Sequence, residues 1–106
     1  MALTRDFKTS VLARVERDPE FARALLSEAV GLFLDNDPQT AKLILRDLIN
    51  ATVGFDRIAA DIQKPAKSIH RMLSSSGNPT IENLSLILHS IKKALNVRIK
   101  AAVIPI

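Results

Sequence analysis

The stretch Ile58-Ala59-Ala60-Asp61-Ile62-Gln63-Lys64-Pro65-Ala66-Lys67-Ser68-Ile69-His70-Arg71-Met72-Leu73 decides how this chain is read. Ile58, Ala59 and Ile62 give the apolar side of a very short helix, Gln63-Lys64-Pro65 turns the chain, and residues 65 to 74 make a second short helix. Two short helices joined by a tight turn bury little, so such a pair serves chiefly to project one helix outward. At about 100° per residue, Ile69, Met72 and Leu73 of the second helix cluster on one side. Lys67 and Arg71 lie opposite, flanked by Lys64 and His70. An apolar back with a cationic front suits the DNA major groove, where Arg and Lys hydrogen-bond guanine O6 and N7. A merely solvated amphipathic helix has the same pattern, so the flanks have to be read as well.

Downstream, Ser74-Ser75-Ser76-Gly77-Asn78-Pro79 reads as a loop, and Thr80 caps a longer helix carrying Ile81, Leu84, Ile87, Leu88, Ile91 and Leu95. Val97, Ile99, Ala101 and Val103 then alternate with Arg98, Lys100 and Ala102, the period of a β-strand. A lone apolar strand has no sheet to join in a helical chain. Pairing with the same strand of a second copy gives a two-fold dimer and sets two recognition helices on successive half-sites. The alternatives are an irregular tail folded back on the body, or pairing within the chain. Upstream, Phe7, Val11 and Val15 mark a helix over 6–17 that stops at Asp18-Pro19. Asp18 and Pro19 also start the next helix, which bears Phe21, Leu25, Ala29, Leu32 and Phe33 and ends near Asp35-Asn36. Asp37-Pro38 repeats the start signal for a helix with Ala41, Ile44, Leu45, Leu48 and Ile49, and Gly54 punctuates the chain after it.

Charge is divided along the chain. The formal net charge is +4, yet residues 1 to 53 hold 7 Lys/Arg against 8 Asp/Glu, and residues 54 to 106 hold 8 against 3. The whole positive excess therefore lies in the second half, as a nucleic-acid footprint confined to one lobe requires. With 106 residues and 47% hydrophobic content the chain makes one compact domain with a real core. Within it, 1–53 is a helical region, 54–96 the DNA-binding region and 97–106 a dimerising strand.

The run Ile58-Ala59-(x2)-Ile62-(x5)-Ser68-Ile69-(x2)-Met72-Leu73, followed by a polar loop and a capped helix, resembles the lambda-repressor-like (XRE) helix-turn-helix family. In that family the Ala packs where the two helices cross. Many members carry Gly in the turn, where this chain has Gln63, a residue for which a positive φ is costly. Three further stretches narrow the resemblance: Phe7-Lys8-Thr9 with Ala13-Arg14, Asp18-Pro19 and Phe21; Leu45-Arg46-Asp47 with Asn50-Ala51-Thr52-Val53-Gly54-Phe55; and Lys67-Ser68 with Arg71-Met72-Leu73 and Asn78-Pro79. Together they are similar to the HigA-like addiction-module antidote proteins over nearly the whole chain.

The resemblance implies a mainly α fold of five to six helices with a lambda-repressor-like helix-turn-helix, to which the alternating segment adds a C-terminal β-strand. It implies an antitoxin of a type II pair that represses its own operon and neutralises a small basic ribonuclease toxin of the RelE/HigB type. The inherited base-reading positions are Ala66, Lys67 and Arg71, with His70 beside them; Ala66 offers only an apolar contact, as to a thymine methyl. Lys64, Ser68, Asn78 and Thr80 sit at helix starts and flanks, where short polar groups and backbone meet phosphates. Family members often have a polar side chain at the position of Phe55, which here reads as core or as a staple for the helix start. The first half, with Asp18, Glu20, Glu28, Asp35 and Asp37, is the expected toxin-facing side.

Other function classes find little purchase. His70 and His89 are the only histidines, cysteine is absent, and no carboxylate pair or glycine-rich phosphate loop accompanies them, so neither an enzyme, a metal nor a cofactor is expected. Four Phe without Tyr or Trp make a poor stacking platform for single-stranded RNA. Met1 to Lys8 carry charge and no apolar run, and no segment approaches the roughly 20 apolar residues of a membrane span. A cytoplasmic protein without membrane contact is therefore expected. The alternatives to the antitoxin are a stand-alone repressor and an adaptor whose helix pair binds protein.

Overall fold

The structure is a computed structural model and describes residues 18–106; the helix expected over 6–17 lies outside the described residues. The described residues form five helices: α1 (Pro19–Leu34), α2 (Pro38–Ala51), α3 (Phe55–Ile62), α4 (Ala66–Met72) and α5 (Ile81–Leu95).

Helix starts follow the local chemistry. Asp18 Oδ1 accepts the Glu20 amide at 3.1 Å, and Asp37 Oδ1 accepts the Thr40 amide at 3.3 Å. Each Asp satisfies an amide that has no partner within the helix, and the following Pro has no N–H to strand. Thr80 Oγ1 caps α5 in the same way through the Asn83 amide at 3.1 Å. Helix ends follow another rule. Asn36, Gln63 and Asn96 adopt left-handed conformations with φ of 64°, 57° and 55°. Each is followed by an amide reaching back five residues: Asp37 to Leu32 O, Lys64 to Ala59 O and Val97 to Lys92 O. That is how a helix satisfies its last carbonyls before the chain turns away. Gly54 opens α3 at φ 80°, ψ 155°, a region essentially closed to residues with a Cβ.

One core joins the helices. Leu26 of α1, Leu45, Leu48 and Ile49 of α2, Ile58 of α3, Ile69 of α4, Leu73 just beyond it, and Ile87 and Ile91 of α5 are fully buried in a single cluster. α1 packs along α2, and α3 packs on both α4 and α5. Burying about nine such aliphatic side chains at roughly 1.5–3 kcal/mol each is the main force holding the short helices, since seven or eight residues are too few for a stable isolated helix.

The C-terminal strand is a correction. Among the described residues there is no strand, and residues 97–106 have no regular secondary structure. Val97 and Ile99 are half-buried and pack against the core, whereas Arg98 and Lys100 are exposed, so the period of two survives as an alternation of burial. Ala101 and Val103 are exposed. A ladder needs a second extended segment, and the described helices offer none; the alternating pattern records which side chains face the body, and by itself it cannot supply a partner.

Candidate nucleic-acid interface

The turn between α3 and α4 contains three residues, Gln63, Lys64 and Pro65. Gln63 takes the left-handed position that the sequence flagged as awkward for a residue with a Cβ. Pro65, at φ −61° and ψ 141°, sets the chain for α4, and its carbonyl receives the Ser68 amide at 2.9 Å. The expected division of α4 holds. Ile69 and Leu73 are fully buried, Met72 is half-buried, and Lys67, His70 and Arg71 are exposed. Lys64, Ala66 and Ser68 are half-buried at the turn and first helical turn, and Ala59 packs against the core from α3. Asn78 and Thr80 are exposed beyond the loop, in front of α5. Lys64, Ala66, Lys67, Ser68, His70 and Arg71 thus lie on the turn and the helix that follows it, with Asn78 and Thr80 carried on a separate segment.

Phe55 is buried, 6% exposed, and its ring stacks on the His70 imidazole with centroids 3.8 Å apart and planes inclined by 19°. The first residue of α3 therefore supports a side chain on the exposed face of α4.

The loop after α4 is tied down at both ends. Ser74 Oγ donates to Arg71 O at 2.7 Å, and the Gly77 amide donates to Ser74 O at 3.0 Å. A Cβ on Gly77 would run into the Arg71 carbonyl oxygen and lie 2.6 Å from that of Met72, so only glycine fits against the end of α4. The Gly77 carbonyl in turn accepts Lys42 Nζ at 2.6 Å. Lys42 is only 4% exposed, and sequence reasoning missed it. The signal was present: position 42 falls on the i, i+3, i+7 stripe it shares with Leu45 and Ile49, both buried on α2.

Outside this face, Lys93 Nζ lies 2.9 Å from Asp61 Oδ1, linking α5 to α3. Hydrogen bonds from the Ser90 hydroxyl and then from Lys93 hold the Asp61 carboxyl below its ordinary value. Of the five acidic residues expected on a toxin-facing side, Asp18 and Asp37 are engaged as helix caps. Glu20 pairs with Arg23 at 3.4 Å, and Glu20, Glu28 and Asp35 are exposed. Among the described residues no cluster of His, Asp or Glu could hold a metal ion, and no helix is long and apolar enough to cross a membrane. No family model, curated protein or solved structure matches the chain.

Proposed function

We propose that the chain is a double-stranded-DNA-binding protein whose α3–turn–α4 unit is a helix-turn-helix, with α4 reading the major groove. One observation carries the reading: Ile69 of α4 and Leu73 just beyond it are completely buried, while Lys67 and Arg71 are exposed on the opposite side and His70 on the flank. Lys67 and Arg71 take the base-edge role, since both carry donors matched to guanine O6 and N7. Lys64, Ser68, Asn78 and Thr80 take the phosphate role. Thr80 Oγ1 accepts a hydrogen bond as a helix cap, which leaves its hydroxyl proton free to donate.

Together with the antidote-like motifs, this makes the protein a cytoplasmic, non-enzymatic autorepressor and antitoxin that acts as a homodimer. Pairing of the 97–106 tails between two copies would join the recognition helices across a two-fold operator. The exposed Glu20, Glu28 and Asp35 suit a basic ribonuclease toxin better than they suit DNA. The deciding measurement is fluorescence anisotropy with the protein's own upstream region against scrambled duplex. Selective binding that is lost in a Lys67→Ala/Arg71→Ala variant with unchanged circular dichroism supports the proposal; binding unaffected by that double change refutes it. Co-purification with the product of an adjacent toxin-like reading frame separates an antitoxin from a stand-alone repressor.

A further inference from the structure

Lys42 belongs to α2, in the near-neutral first half of the chain, and makes a long-range contact with the loop of the basic second half. The residue is almost wholly buried, and its ammonium meets the Gly77 carbonyl at 2.6 Å, 35 residues away in sequence. A buried charge is costly unless compensated. Here the compensation comes from the Gly77 carbonyl of the loop, which accepts its hydrogen bond. Gly77 is pressed against the Arg71 and Met72 carbonyls so closely that no other residue fits. Ser74 bridges the same Arg71 carbonyl to the Gly77 amide. The sequence α4 end, Ser74, Gly77, Lys42 is therefore a continuous polar chain, and its last link fixes the residue immediately before Asn78.

We infer that Lys42 is a positioning residue for the phosphate-contacting segment Asn78–Thr80, acting from the first half of the chain on the DNA-binding half without touching DNA itself. The inference rests on the DNA-binding reading and deepens it. α2 then serves as a strut as well as core, so DNA affinity depends on how α2 sits against the loop. The geometry also predicts how this dependence differs from direct phosphate contact. A lysine that neutralises a phosphate releases a counterion, and its loss flattens the salt dependence. A buried lysine that only holds a loop releases none, and its loss lowers affinity equally at every salt concentration.

The test is operator binding by anisotropy across a salt series for the wild-type full chain, Lys42→Met and Lys64→Ala, with hydrogen–deuterium exchange of residues 74–80 in the DNA-free proteins. Met keeps most of the side-chain volume and removes the donor. Lys42→Met is expected to bind about tenfold more weakly along a line parallel to wild type, corresponding to the loss of one charge-assisted hydrogen bond's positioning. Its 74–80 segment should exchange faster, whereas Lys64→Ala should change the slope by about one unit and leave that exchange alone. Should Lys42→Met fail to fold, Lys42→Gln, which keeps a donor but not the reach, reads the same quantities. Wild-type affinity in the folded variant overturns the inference, and so does a flattened slope, which would place Lys42 on a phosphate. A wild-type chain that binds no DNA sinks the DNA-binding reading itself, an outcome distinct from a Lys42 variant that binds as wild type does.

Discussion

The Phe55 ring lies against the His70 imidazole at a centroid distance of 3.8 Å, one ring buried in the core and the other on the exposed face of α4. A stacked pair of this kind contributes about 0.5–1.5 kcal/mol beyond its buried area. Phe55→Leu keeps most of the apolar volume and loses the stack, so it should cost about 1–2 kcal/mol, against about 3–5 for Phe55→Ala. His70→Ala should lose only the stack. Urea unfolding of Phe55→Leu, His70→Ala and the double variant closes the cycle. Strict additivity of the two single changes would show that the rings are neighbours without energetic coupling.

Gln63 offers a second test. Among the described residues the other two left-handed helix ends use Asn, which tolerates that conformation, and Gln63 alone has a long side chain there. Gln63→Gly should stabilise the fold by about 0.5–1 kcal/mol, and Gln63→Val should destabilise it, because a β-branched residue is least tolerant of positive φ. Thermal or urea midpoints read both. A loss of stability in the Gly variant would mean that the glutamine side chain contributes more than its backbone strain costs.

Much of this was legible in the sequence because it depends on neighbours in the chain. Asp18-Pro19, Asp37-Pro38 and Thr80 announce helix starts, and each aspartate and the threonine does accept an amide of its own first turn. The burial of Ile69 and Leu73 opposite Lys67 and Arg71 follows from a period of 3.6 alone. What was not legible depends on distant contacts. Lys42 has the composition of a surface residue, and only the loop 35 residues away explains its burial. The 97–106 segment has the period of a strand, but whether it becomes one is decided by an edge that the other described residues do not offer.

On the proposed DNA face, direct readout and phosphate contact separate by their response to salt and to sequence. Arg71→Ala should cost about 1–3 kcal/mol of operator binding and relax preference at one base position. Lys64→Ala should weaken binding to operator and random duplex alike and reduce the salt slope by about one. Binding to a panel of single-base operator variants tells them apart. An Arg71→Ala protein with undiminished discrimination would remove Arg71 from base readout.

Asp61 carries a pH prediction. Its carboxyl is held below its ordinary value by the Ser90 hydroxyl and then by Lys93, so the ionised form is favoured in the folded state. The stabilisation is full above the unfolded-state value and is lost as pH falls through the lower, folded value. Asp61→Asn should therefore lower the thermal midpoint at neutral pH, with the difference from wild type narrowing on acidification. A gap that stays constant down to the acid transition would assign the effect of Asp61 to something other than its charge.

The tail provides the sharpest test of assembly, because its two halves do different things. Val97 and Ile99 pack on the core, whereas Val103, Ile104 and Ile106 are almost wholly exposed, at 102%, 76% and 127% of the reference area. No backbone-to-backbone hydrogen bond links residues 98–106 to the described body. An apolar segment with free backbone groups is a ready template for pairing, and in the proposed dimer its own copy is the partner, which closes the assembly at two. Removing residues 103–106 should therefore convert dimers to monomers and weaken operator binding, since each half-site is then occupied alone. The unfolding free energy of the monomer, measured at dilution, should stay the same. Removing 97–106 should add a loss of about 1–3 kcal/mol, because two side chains leave the core as well. Sedimentation of the 1–102 chain decides the matter. If that chain remains dimeric, the interface lies elsewhere, and the exposed Ile81 and Leu86 on α5 become the surface to change next.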